Sequence, residues 1–159
     1  MFRQEKLQGT VIVDDFSITT YKNGDIENIY YVLIALEFND KKIGQISMSE
    51  IRCSDAEKVA DFITKNVKPL ESTLISDKSI DFTKLSETDY PLKIIKKSEN
   101  NFPPVREVIS YLEEKKLLNT LACTCSRENL SSYLNECCFK FNYRKSKKDW
   151  FDILLQNTV

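Results

Sequence analysis

The order of hydrophobic patterns in this chain predicts a mixed α/β domain, and three observations carry the prediction. The chain opens with three apolar, β-branched stretches separated by turn residues. A segment with helical spacing and a clear start signal follows, and short apolar runs then return. Beyond residue 100 the pattern becomes helical.

Each element has a local reason. The first strand is expected over 8–15, where Val11-Ile12-Val13 is a continuous apolar run that ends in Asp14 and Asp15. Tyr21-Lys22-Asn23-Gly24-Asp25 supplies turn chemistry, Asn-Gly being the pair that best tolerates the positive φ of a tight hairpin. A second strand, 29–38, is rich in Ile, Tyr, Val and Leu; Asn39-Asp40-Lys41-Lys42 turns the chain into a third strand, 43–51. Ser54 with Glu57 forms a capping box, and Val59, Ala60, Phe62, Ile63 and Val67 line one helical face that Pro69 closes. A fourth strand over 72–76 ends at Asp77, 80–85 is expected to be a short helical turn, and 91–95 a fifth strand. After a polar break at 96–101, Pro103-Pro104 marks the start of a helix over 105–118, since proline is tolerated in a first turn. Two more helices are expected at about 126–142 and 147–156, with Ser126 and Ser146 as caps.

The resulting order, β-β-β-α-β-α-β-α with additional C-terminal helices, defines a ribonuclease H-like mixed sheet. In that arrangement the first strand is central and the fourth lies beside it, so Asp14 and Asp77 become neighbours. At 159 residues, with no internal repeat, low-complexity tract or long linker, 1–159 is expected to be a single domain.

Composition removes several classes of chemistry. The chain has no histidine, which excludes Ser-His-Asp and Cys-His nucleophiles. Five cysteines, with Cys137 beside Cys138 and Cys123 one residue from Cys125, fit neither a disulfide framework nor a usual zinc knuckle and read as reduced apolar fillers. No apolar run approaches the ~18 residues of a membrane span, and residues 1–6 lack the apolar core of a signal peptide. The expected location is cytoplasmic. Net charge is −1, but Lys140, Arg144, Lys145, Lys147 and Lys148 are clustered and interleaved with Phe139, Phe141, Tyr143 and Trp150. Such a stretch suits either phosphate contact or a solvated helix face over core aromatics.

What remains is carboxylate chemistry. Asp14 and Asp77 close apolar runs, and Glu107 lies in a helical pattern. Crowded carboxylates need compensation, and two-metal phosphoryl-transfer sites supply it with a pair of Mg²⁺ ions roughly 4 Å apart. Taken singly, each acid also reads as an ordinary turn or cap residue.

The segment Leu7-Gln8-Gly9-Thr10-Val11-Ile12-Val13-Asp14-Asp15 resembles the L-x-G-x-V-x-V-D-E opening of the catalytic domain of ISXO-type insertion-sequence transposases, relatives of the Merlin elements. Leu74-Ile75-Ser76-Asp77 is similar to their V-x-T-D strand, and Val105-Arg106-Glu107-Val108 to the helix with the third acid. Asn129-Leu130-Ser131-Ser132-Tyr133-Leu134-Asn135-Glu136, followed by Phe139-Lys140-Phe141-Asn142-Tyr143-Arg144, resembles the family's H-L-x-x-Y-x-x-E-F-x-F-R-F-N-x-R. The resemblance implies a DDE transposase in which Asp14, Asp77 and Glu107 are the catalytic acids and the ligands of Mg²⁺ or Mn²⁺. The implied reaction is phosphodiester hydrolysis and strand transfer on double-stranded DNA, by a homodimer or larger multimer. Lys115, next to Glu114, and Lys140, Arg144, Lys145, Lys147 and Lys148 of the basic stretch are the candidate nucleic-acid contacts. The chain departs from the family pattern at Glu114, where a basic residue is usual, and at Pro103-Pro104 in place of a polar lead-in. These departures make a decayed or domesticated core, binding nucleic acid or protein without cutting, the alternative.

Overall fold

In a computed structural model, the described residues are 5–51, 55–96, 100–115, 117–118 and 127–144. They form β1 (Leu7–Lys22), β2 (Asp25–Asn39), β3 (Lys42–Glu50), α1 (Ala56–Asn66), β4 (Val67–Ser76), β5 (Leu92–Ile94) and α2 (Pro103–Glu114). A single 3₁₀ turn, Arg127–Asn129, then leads into α3 (Leu130–Asn142). The sheet order is β3-β2-β1-β4-β5. The β1–β2 and β2–β3 pairs are antiparallel, while β4 runs parallel to β1 and β5 parallel to β4. This mixed α/β architecture is consistent with a ribonuclease H-like arrangement.

The apolar run at Val11-Ile12-Val13 is continuous because β1 is central and covered on both faces. Ile12, Ile34, Leu36 and Ile46 pack under α2 and α3 against Val105, Val108, Leu112, Leu130 and Leu134. Val11, Val13, Leu33, Ala35 and Leu74 form a second layer with Val59, Phe62 and Ile63 of α1 and with Ile80, Leu85 and Tyr90 of the β4–β5 connection. Each such aliphatic side chain contributes about 2 kcal/mol by leaving water. The outer strand β3 is tied to α3 by the Asn142 carboxamide, which accepts from the Ile46 N–H at 2.7 Å and donates to the Ile46 carbonyl at 3.1 Å.

Several expected boundaries are corrected. β1 runs on to Lys22, so Asp14 lies inside a long strand and not at its tip. The Asn23-Gly24 turn, with φ of 53° and 82°, zips residues 13–22 onto β2. Asp55 caps α1, its side chain accepting from the Glu57 N–H at 2.9 Å; the expected cap, Ser54, lies outside the described residues. Pro69 does not close the helix but sits inside β4, where the register jumps from Leu7↔Val67 to Gly9↔Ser72 and Leu70 takes a φ of 65°. A residue without an N–H is tolerated at such an irregularity. The expected helical turn over 80–85 is a series of turns. Asp77 and Asp81 take the N–H groups of Ser79 and Thr83 at 3.0 and 2.9 Å, offering the backbone an alternative to helix. α2 begins earlier than expected, at Pro103, and α3 starts at Leu130. The expected helix at 147–156 lies outside the described residues.

Candidate acidic site

Asp14 is fully buried on the α2 side of β1. Its Oδ1 accepts the Asp15 N–H at 2.8 Å. Its Oδ2 accepts the Phe102 N–H at 3.0 Å and the Asn101 side-chain amide at 3.2 Å. The same amide donates to the Asp15 carbonyl at 2.7 Å. Phe102 is the residue at the N-cap of α2 and supplies no side-chain cap. A carboxylate from β1 therefore stands at a helix start, where free N–H groups and the helix dipole favour negative charge.

Asp77 follows directly on β4. The last β1–β4 pair is Ile12↔Ile75, so Asp14 and Asp77 each lie two residues past paired positions on adjacent strands. The Ser76 hydroxyl, donating to the Val13 carbonyl at 2.8 Å, extends the contact by one residue. Asp77 is half-buried, and its Oδ1 accepts from both the N–H and the hydroxyl of Ser79, at 3.0 and 2.5 Å.

Glu107 is placed differently. Val105, Val108 and Leu112 face the core, which leaves Glu107 exposed on α2. Its electrostatic partner is Arg144: burial pulls that guanidinium below its ordinary pKa, and Tyr111 and Glu107 oppose the shift. Among the described residues, no three acidic or cysteine side chains stand close enough to hold a metal ion together. Sequence order thus brings Asp14 and Asp77 to matching register, and with Glu107 they do not stand as one three-residue metal group. Mg²⁺ or Mn²⁺ bound between these acids would share the Asp14 carboxylate with the N–H donors already on both of its oxygens. As arranged, the three acids do not fit a two-metal centre.

The expected nucleic-acid contacts also divide. Arg144 is a structural tie, with its guanidinium 3.8 Å from the Phe141 ring centroid and donating to the carbonyls of Phe141 and Ile43 at 2.9 and 3.2 Å. Lys140 pairs with Glu136 at 2.7 Å along α3. Lys115 is exposed at the end of α2, its ammonium 5.9 Å above the Tyr111 ring. Lys145, Lys147 and Lys148 lie outside the described residues. Cys137 and Cys138 are buried thiols outside any disulfide, and burial raises the Cys138 thiol pKa, the state of an inert filler. No helix among the described residues is long and apolar enough to cross a membrane.

Asn101 was invisible to spacing arguments, having been read as part of a polar break. No local signal pointed to it: the two prolines that open α2 carry no N–H of their own, and the N–H that Asp14 accepts belongs to Phe102 before them. Compared with known families, residues 6–142 match the ISXO2-like transposase domain. No curated protein matches the chain.

Proposed function

Because the chain belongs to the ISXO2-like transposase domain family, we propose that it is a transposase-type core that binds double-stranded DNA without cutting it. The observation that carries this reading is that Asp14, Asp77 and Glu107 do not stand together as one metal-binding group, while the charge of Glu107 acts on Arg144. Strand transfer by this family type calls for all three acids in one place. DNA contact in this reading falls to Lys115 at the end of α2 and to Lys145, Lys147 and Lys148, since Lys140 and Arg144 already serve internal contacts. A homodimer or larger multimer is the form in which such a core would hold two DNA segments.

A second reading is favoured by the matching register of Asp14 and Asp77. In it Asp14, Asp77 and Glu107 are catalytic acids with Mg²⁺ or Mn²⁺, and the chain is a DNA strand-transfer enzyme. One pair of assays separates the two. Duplex-DNA titration followed by fluorescence anisotropy is expected to give salt-sensitive binding, with a log–log slope of about −3 if three to four phosphates are neutralised. Supercoiled plasmid in Mn²⁺ is expected to stay intact. Nicking that Asp77→Asn abolishes would establish strand transfer instead, and no binding at low ionic strength would overturn the DNA assignment.

A further inference from the structure

We propose that the Asn101 amide and the Phe102 N–H occupy, at the Asp14 carboxylate, the place of a cation, so that this acid clamps β1 to the start of α2 and is closed to metal. The inference holds whether or not the domain binds DNA, because it concerns only what neutralises Asp14.

A carboxylate with no solvent exposure requires either a counter-charge or several N–H donors, and the described geometry supplies donors to both oxygens. The Phe102 and Asn101 donors belong to the step into α2. α2 has no acidic residue in its first turn and no side-chain cap of its own, so the anion it needs arrives from another strand. The Asn101 amide also bridges to the Asp15 carbonyl. It therefore grips β1 beyond Ile12, where the β1–β4 pairing ends. No buried side-chain nitrogen or oxygen among the described residues lacks a partner, so no orphaned ligand atom is aimed into this spot awaiting an ion. A cation reaching this fully buried carboxylate would compete with these donors for its lone pairs. Hydrogen bonding has done at Asp14 what charge neutralisation does in a carboxylate metal centre.

The test uses the full chain. Mn²⁺ titration of the wild type, followed by thermal unfolding and by the electron paramagnetic resonance signal of free Mn²⁺, is expected to give an unchanged Tm and no uptake. Asn101→Ala is expected to lower Tm by about 5 °C, the loss of a hydrogen bond to a charged group in a chain of this size. Asn101→Asp sets a second carboxylate against Asp14. It is expected to melt lower still without metal and to regain stability with Mn²⁺, taking up the ion as it does so. Mn²⁺ uptake by the wild type that Asp14→Asn removes would overturn the proposal. An unaltered Tm in Asn101→Ala would do the same, and neither result depends on whether Asn101→Asp folds.

Discussion

Asp14 and Asp77 end similar apolar runs and occupy matching register on neighbouring strands, yet their surroundings differ in kind. Asp14 is sealed from solvent, and its donors include groups far along the chain, at Asn101 and Phe102. Asp77 is half-buried at a strand end and folds back onto Ser79, two residues away. The difference teaches that an apolar run ending in acid specifies a location and leaves the chemistry open. The donors that meet the carboxylate decide whether it fixes the tertiary structure or only a local turn.

The sharpest way to break this comparison is Asp14→Ala. It takes from the buried Phe102 N–H and from the Asn101 amide their acceptor on β1's carboxylate, and a loss of about 3 kcal/mol is expected in urea unfolding. A loss no larger than that of Asp77→Ala would erase the distinction between the two acids. Asn142→Ala extends the comparison to another polar link between helix and strand, removing two hydrogen bonds to Ile46. It is expected to cost about 2 kcal/mol in the same measurement. For Asp77→Ala, which removes the half-buried turn bonds to Ser79, the expected loss is about 1 kcal/mol.

The smallest effect is expected at Asp81, whose exposed carboxyl bonds to the hydroxyl and N–H of Thr83 and is held below its ordinary pKa of 3.8 by those two bonds, hydroxyl first. A carboxyl with a depressed folded pKa contributes stability above its unfolded value and loses it as pH falls through the folded one. Wild type and Asp81→Asn should therefore differ slightly in Tm at neutral pH and converge below pH 3.8. A gap that widens on acidification would contradict the assignment of those bonds.

Much of the sheet was legible in the sequence. The continuous run at Val11-Ile12-Val13 identified a central strand, Asn23-Gly24 identified a hairpin, and the spacing of Val59, Phe62 and Ile63 identified the buried face of α1. Local competition hid other features. Asp55 does the capping expected of Ser54, and the aspartates of the β4–β5 connection capture N–H groups that a helical turn would have used. The state of the acidic site was least legible, since the partner of Asp14 that matters most is 87 residues away and no local periodicity reports such a distance.

The carboxamide of Asn142 has an effect on neighbouring molecules as well as on its own. By taking both backbone groups of Ile46, it imitates a hydrogen-bonded sixth strand one residue wide at the rim of the sheet. A rim left bare invites pairing with another chain. Replacing this one side chain would therefore expose a template for self-association, and crowding during synthesis would become a hazard to the protein even where its folded stability sufficed.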